Sequence, residues 1–333
     1  MTEHATRPLP AGSDAPDVAA FARDVRDYLT RTPRQLPSRY LYDALGSALF
    51  DAICELPWYR ITRAETRLLV EHGPKVWAAM APLDRAIELG PGDGRKLATL
   101  LSMRPRRPLP LRIDLIDISP AALESAASAL ARIEGTRVVR HHVTYEAGIE
   151  EASGTAPRGR ALVLFLGSNI GNFDPALADA LLSRIRQCLR PGDALLLGAD
   201  LVKPERELLL AYDDPLGVTR AFNLNLLVRI NRELGGDFDP ASFGHRATWN
   251  PRRSRMEMHL VSRHRQTVRI PAAELTLTLE ESEAIWTESS CKYRPDDVGR
   301  MIERAGFEAK ALWQDRSAQF ALALAEVPPA PAQ

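Results

Sequence analysis

Strand-like and helical segments alternate between residues 86 and 199, and this alternation restricts the fold more than any other feature of the chain. Short apolar runs of strand length are separated by longer stretches with a helical spacing of apolar residues. The run at 161–166 is apolar throughout, as expected of a central strand covered on both faces. The pattern predicts an α/β fold with a doubly wound parallel sheet. The predicted strands are 86–89, 112–118, 137–143, 161–167 and 194–199, and the predicted helices are 95–102, 120–133 and 175–189.

The pattern changes after residue 200. Two helical stretches precede a segment at 255–262 in which apolar and polar residues alternate, which indicates an antiparallel strand with one covered face. Near the end of the chain, a helix and two strands would complete the first sheet. The sequence therefore predicts that an inserted region, roughly 202–292, interrupts the sheet. The segments are helices at 204–212, 217–234 and 295–305, and strands at 255–262, 267–270, 274–279, 309–313 and 318–325.

The composition argues against several classes of protein. The 43 basic and 43 acidic residues leave no net charge, so no electrostatic field favours nucleic acid or an anionic membrane. We expect a small-molecule substrate, with no nucleic acid, no membrane and no obligate protein partner. Three scattered cysteines predict neither a metal site nor disulfides and, without a signal-peptide pattern, favour the cytoplasm. Residues 1–17 and 327–333, rich in proline and small residues, are predicted to be disordered tails.

A glycine-rich turn follows the first predicted strand of the sheet. Glu88 is followed by Gly90, Gly92 and Gly94, and glycine permits the positive φ and close approach that a ligand-binding strand-to-helix turn requires. Arg95 stands where a dinucleotide fingerprint would have its third glycine, which weakens a nicotinamide interpretation. The turn resembles motif one of the S-adenosylmethionine-dependent methyltransferases. Asp117 ends the next strand, where its carboxylate can accept hydrogen bonds from both ribose hydroxyls.

Several further motifs, taken together, resemble the histidine-specific Nα-methyltransferases, the family that makes hercynine for ergothioneine biosynthesis. The resemblance covers about residues 20–326. It implies a Rossmann-like class I methyltransferase sheet, formed by 63–201 and 293–326, with a second, inserted α+β substrate-binding domain formed by 18–62 and 202–292. It also implies three methyl transfers to the histidine α-amine. The motifs lie at 41–47, 56–59, 62–65, 88–92, 165–172, 198–203, 211–214 and 287–293.

The resemblance implies a set of cofactor-binding residues. Thr144 stands where relatives commonly have an aspartate beside the adenine, so that contact is weakened or rebuilt, with Glu146 as a substitute. Tyr145 can still stack on a base. The cofactor is S-adenosylmethionine, and the implied contacts are Gly90, Gly92, Lys96, Asp117, Thr144 and Tyr145.

The resemblance also implies a set of substrate-binding residues. Glu288 can accept the imidazole N–H and Ser290 can bond the other ring nitrogen. The amide of Asn172 and the phenol of Tyr212 can hold the α-carboxylate, and Tyr42 is a candidate acceptor for the proton that the amine must lose. The implied substrate contacts are Tyr59, Asn172, Tyr212, Glu288, Ser289 and Ser290, with Met258 as pocket lining.

Three alternatives stay open on the residues alone. The acceptor could be another amino acid or an aromatic amine such as a tryptophan derivative, although Glu288 argues against a pocket that takes only an indole. The chain could also be a binding protein that kept the fold and lost the chemistry. The third alternative is a nicotinamide oxidoreductase. It would be distinguished by whether NAD or S-adenosylmethionine raises the melting temperature of the protein.

Overall fold

A computed structural model describes residues 18–105, 110–154 and 159–329. In these residues the larger sheet has seven strands in the order β11-β12-β5-β4-β1-β2-β3. The strands from β3 to β5 in this order pair in parallel, whereas β12 is antiparallel to both β5 and β11. The strands are β1 (Leu83–Leu89), β2 (Leu111–Asp117), β3 (Thr136–His142), β4 (Arg160–Phe165), β5 (Ala194–Asp200), β11 (Glu308–Asp315) and β12 (Phe320–Glu326).

The predicted doubly wound sheet is confirmed, together with its closing antiparallel hairpin. Every residue of β5 is buried, and β4 is buried after its first residue, as expected of central strands that helices cover on both faces. The helices are α1 (Val18–Leu29), α2 (Ala44–Glu55), α3 (Ile61–Met80), α4 (Arg95–Leu101), α5 (Pro120–Leu130), α6 (Tyr145–Gly154), α7 (Pro175–Cys188), α8 (Glu205–Tyr212), α9 (Val218–Leu234) and α10 (Pro295–Arg304).

The region after β5 forms two smaller sheets. One has three antiparallel strands in the order β10-β7-β6, and the other is the hairpin of β8 and β9. Burial alternates strictly along β7, which confirms the period-two prediction for this segment. The strands are β6 (Phe243–Asn250), β7 (Arg255–Ser262), β8 (Gln266–Ile270), β9 (Leu275–Leu279) and β10 (Ala284–Cys291).

The structure adds elements that the sequence pattern did not predict. These include helix α3, helix α6 between β3 and β4, strand β6, and the strand character of β10. The predicted tail from residue 327 begins too early, because Val327 is buried and exchanges backbone hydrogen bonds with Asp193 and Gly192. The predicted tails at 1–17 and 330–333 lie outside the described residues.

One apolar core connects the large sheet with the region that contains the two smaller sheets. Side chains from α1, α9 and the small sheets belong to the same buried cluster as those on one face of the large sheet. Within the described part of the chain, no helix combines the length and apolarity needed to cross a membrane, and no three His, Cys, Asp or Glu side chains gather as a metal site would require.

Candidate active site

The glycine turn lies at the carboxyl end of β1, beside the end of β2. Gly90, Gly92 and Gly94 all have positive φ, between 57° and 77°, as predicted from their sequence. A Cβ atom on Gly90 would lie 2.5 Å from the Asn169 amide nitrogen and 2.6 Å from the Tyr145 hydroxyl. A side chain here would have to displace both groups, and the positive φ of 71° also favours glycine. The following helix α4 begins at Arg95.

A large cavity of about 1740 Å³ opens at this edge of the sheet. Its volume accommodates a cofactor of nucleoside size with room for a second ligand. Asp117 lies at the end of β2, and burial raises the pKa of its carboxyl group to about 6. All six predicted cofactor residues line this one cavity: Gly90, Gly92, Lys96, Asp117, Thr144 and Tyr145.

Lys96 connects the donor side of the cavity to the end of β4. Its ammonium group lies 2.7 Å from a carboxylate oxygen of Glu65. Glu65 is fully buried and also accepts the backbone N–H of Gly167 at 2.8 Å and 2.9 Å. Burial opposes ionisation of Lys96, but the carboxylate of Glu65 outweighs it and raises the pKa of the lysine. Lys96 therefore stays cationic where it lines the cavity.

Thr144 and Tyr145 lie at the start of α6. The Thr144 hydroxyl accepts the backbone N–H of Ala147 at 3.4 Å, so part of its bonding capacity caps the helix. The Tyr145 ring packs edge-on against Phe165, with ring centres 5.5 Å apart. Glu146 also lines the cavity, so the structure leaves it available as the substitute acidic group.

A smaller, inner pocket adjoins the large cavity. It is built from α2, the start of α3, α8, α9 and the strands β7 and β10. Tyr42, Tyr59 and Asn172 line both spaces, so a ligand in the inner pocket can face one in the outer cavity. The predicted substrate residues that the structure brings together in the inner pocket are Tyr42, Tyr59, Asn172, Tyr212, Met258, Glu288 and Ser290.

Ser289 is a correction to the predicted site. It is not among the described residues that line either cavity, and it is more exposed than Glu288 and Ser290. Side chains alternate between the two faces of a strand. Because Glu288 and Ser290 face the inner pocket from β10, the side chain between them points to the opposite face.

The environment of the inner pocket determines which of Glu288 and Tyr42 can accept a proton. Burial raises the pKa of Glu288 to about 7, although Lys292 and a hydrogen bond from Tyr42 lower it in part. Burial, with Glu288 nearby, raises the pKa of the Tyr42 phenol well above its usual value of 10. Tyr42 therefore keeps its proton and donates a hydrogen bond to Glu288, which disfavours Tyr42 as the final proton acceptor.

Sequence reasoning missed Lys292, which lies directly behind the pocket wall. Tyr212 and Ser290, which were predicted to bind different parts of the substrate, have hydroxyl oxygens only 2.8 Å apart. Lys292 donates to both. Its position, two residues beyond Ser290 and four beyond Glu288, is the signal that could have placed it on the same face of the strand.

This strand order, with an antiparallel hairpin at one edge and a glycine turn leading from β1 into the cavity, defines a class I S-adenosylmethionine-dependent methyltransferase. A family profile described as histidine-specific methyltransferase, SAM-dependent, matches residues 21–327. The chain belongs to this family, and its cofactor is S-adenosylmethionine.

Named relatives agree with the family. The histidine N-alpha-methyltransferase of Mycolicibacterium smegmatis is 42% identical over 308 residues, covering 92% of this chain and 94% of that protein. The protein of the same name from Mycobacterium tuberculosis is 42% identical over 315 residues, covering 94% of this chain and 97% of that protein. Ergothioneine biosynthesis protein 1 of Neurospora crassa is 30% identical over 275 residues, covering 77% of this chain and 31% of that protein.

Proposed function

We propose that this protein transfers methyl groups from S-adenosylmethionine to the α-amino nitrogen of L-histidine, three times, to give hercynine. The observation that carries the proposal is that Glu288 and Ser290 face one inner pocket, which adjoins the cavity lined by the cofactor residues. A carboxylate and a hydroxyl on alternate residues of a strand suit the two nitrogens of an imidazole ring. The regions 18–62 and 202–292 would together form the substrate-binding domain.

The remaining polar groups of the pocket suit the other end of the amino acid. Asn172 and Tyr59 lie where the inner pocket adjoins the outer cavity. An amide and a phenol can bind the α-carboxylate without neutralising it. This arrangement would leave the α-amine facing the donor, and holding two reactants in such a geometry contributes about 7–11 kcal/mol to a transfer reaction.

Aromatic rings surround the place where the amine would lie. The rings of Tyr42, Phe50 and Phe222 contact one another with centres 5.5–6.0 Å apart, and Tyr59 lies 6.2 Å from Phe50. Aromatic faces attract quaternary ammonium groups. Such a wall supports repeated methylation, because it binds a cation that grows in apolar surface with each transfer.

The bound cofactor supplies an activated methyl group, so the residues of the chain have to position the acceptor and remove a proton. Only a neutral amine has the lone pair that attacks. Tyr42 can take part as a relay, accepting a proton from the amine while its own proton passes to Glu288. We place the reaction in the cytoplasm, where the three free cysteines of the chain would stay reduced.

The direct test is mass spectrometry of products formed from S-adenosylmethionine and an equimolar pool of the twenty amino acids. We expect histidine to gain three methyl groups, while the other amino acids stay unchanged. Methylation of tryptophan in preference to histidine would contradict the proposal. Donor binding with no methylated product would favour the binding-protein alternative.

Asp117 gives a test of the donor site that does not depend on the acceptor. With a pKa of about 6, the carboxylate is ionised and accepts ribose hydroxyls above that pH. Below it the protonated acid loses these charge-assisted bonds, which are worth about 1.5–3 kcal/mol. We expect the affinity for S-adenosylmethionine, measured by calorimetry, to weaken as pH falls from 8 to 5. The Asp117→Asn variant should bind weakly at every pH, and an equal pH dependence in that variant would contradict the assignment.

A further inference from the structure

Lys292 is a fully buried cation whose three donors are all in use. Its ammonium nitrogen lies 2.7 Å from the Tyr212 hydroxyl, 2.9 Å from the Ser290 hydroxyl and 2.9 Å from a carboxylate oxygen of Asp200. Its side chain is 0% exposed. Tyr212 and Ser290 line the inner pocket, whereas Lys292 is not among the described residues that do. It can therefore influence a ligand only through these two hydroxyls.

Asp200 keeps this lysine charged while sharing its own charge with a second cation. Its other carboxylate oxygen accepts from Lys203 at 2.6 Å, and Lys203 also donates to the Ala318 carbonyl at 2.8 Å. Burial opposes the charge on Lys292, but Asp200 and Tyr212 outweigh it and raise the pKa of the lysine. Lys203 contacts the same carboxylate without touching either hydroxyl, which makes it a natural control.

The protonated lysine fixes the direction of the two hydroxyl groups. An ammonium group has three donors and no acceptor, so the oxygens of both Tyr212 and Ser290 accept from Lys292. Both hydroxyl protons must then point away from the lysine. The Tyr212 hydroxyl donates a 2.8 Å hydrogen bond to the Ser290 oxygen. The Ser290 oxygen therefore accepts from both Lys292 and Tyr212, which uses its two lone pairs and leaves only its proton for the substrate.

We infer that Lys292 is a positioning residue that commits Ser290 to donate to the substrate, so that the pocket accepts the neutral imidazole ring and rejects the imidazolium ion. A neutral ring presents one N–H, which Glu288 accepts, and one bare nitrogen, which meets the Ser290 proton. An imidazolium ring presents two N–H groups, and the second would meet a hydroxyl that cannot turn to accept it. This inference rests on the proposed function, since it assumes that the ring lies between Glu288 and Ser290.

The test compares L-histidine with β-(1,2,4-triazol-3-yl)-alanine, whose ring also has one N–H and bare nitrogens but is a much weaker base. Both amino acids are titrated calorimetrically into the protein saturated with S-adenosylhomocysteine, between pH 5.5 and 7.5. Titration of Glu288 affects both ligands, so the ratio of their dissociation constants reports only the ring. We expect the dissociation constant of histidine, divided by that of the triazole, to rise about tenfold as pH falls to 5.5 in the native protein, because imidazole protonates near pH 6.5.

Lys292→Met releases the two hydroxyls, and the ratio should then change less than about threefold over the same pH range. Histidine affinity at pH 7.5 should also fall, while S-adenosylhomocysteine still binds with its native affinity, which shows that the variant is folded. Lys292→Arg, which also lacks an acceptor, should restore part of the pH dependence, and Lys203→Met should leave it unchanged. Should Lys292→Met fail to fold, Lys292→Gln takes its place, because Asp200 still pairs with Lys203 there and the amide brings an acceptor to which the hydroxyls can turn.

Two outcomes overturn different statements. A ratio in folded Lys292→Met that rises as steeply as in the native protein would overturn the positioning role and leave the proposed function intact. A native protein that binds neither amino acid, and methylates no histidine, would overturn the proposed function and this inference with it.

Discussion

Replacing Glu288 with alanine should raise the KM for L-histidine by roughly 10–150-fold while the affinity for S-adenosylmethionine stays nearly unchanged. The carboxylate is 9% exposed and faces the inner pocket, where it is the acidic group placed to accept the ring N–H. A hydrogen bond to a charged group contributes about 1.5–3 kcal/mol, and each 1.4 kcal/mol corresponds to a tenfold change in affinity. Initial-rate kinetics with L-histidine measure KM, and calorimetry with S-adenosylmethionine measures the donor affinity.

The neighbouring Ser289 provides a matched control for this experiment. It lies on the same strand, one residue away, yet its side chain is on the other face. Ser289→Ala should therefore leave histidine binding within about twofold of the native value, since surface substitutions usually change energies by less than 0.5 kcal/mol. Unchanged histidine binding in Glu288→Ala, or an equal loss in Ser289→Ala, would sink the assignment of the ring site.

The fold was predictable where burial imposes a regular pattern on the sequence. Strands β4 and β5 are covered on both faces and read as continuous apolar runs, and β7 alternates because one face is covered. Strand β6 gave no such signal, because its buried residues are few and its register comes from pairing with β7. Helix α6 was missed because ten residues that include two glycines and a serine have little intrinsic helical preference.

The residues of the site also differ in how far the sequence could predict them. The residues that line the pockets lie in short unusual motifs, so their presence could be predicted, and strand periodicity could have excluded Ser289. Alternation along the strand could have put Lys292 on the side of Glu288 and Ser290, but its burial could not be predicted, because lysine is almost never fully buried unless it is paired. Its partner Asp200 is 92 residues away in the chain, at the end of β5, and only the folded arrangement brings the two together.

A second buried charge cluster crosses the sheet away from both pockets. Asp114 on β2 is 0% exposed and accepts hydrogen bonds from Arg85 at 2.7 Å, Arg112 at 2.9 Å and His141 at 2.8 Å. Burial opposes its ionisation, but these three bonds outweigh it and hold the pKa of Asp114 far below its usual value. The groups come from three adjacent strands, so the cluster follows from the order of strands in the sheet and not from any local motif.

The pH dependence of this cluster follows from two opposite shifts. The pKa of Asp114 is lowered, so its contribution to stability is present above the unfolded value of about 3.9 and is lost as pH falls through the lowered folded value. The pKa of His141 is raised, chiefly by the hydrogen bond to Asp114. Its contribution is present below the unfolded value of about 6.5 and is lost as pH rises through the folded value. Both contributions are therefore present near pH 5–6.

Asp114→Asn should lower the free energy of unfolding by about 3–5 kcal/mol, the usual cost of leaving a buried charge such as Arg85 without its carboxylate. The deficit relative to the native protein, measured by urea unfolding, should be larger at pH 5.5 than at pH 9, because the variant also loses the partner that raises the pKa of His141. Glu274→Gln breaks an exposed pair with Arg26 and should cost no more than about 1 kcal/mol. A deficit for Asp114→Asn as small as that of Glu274→Gln would show that the cluster contributes little to the stability of the sheet.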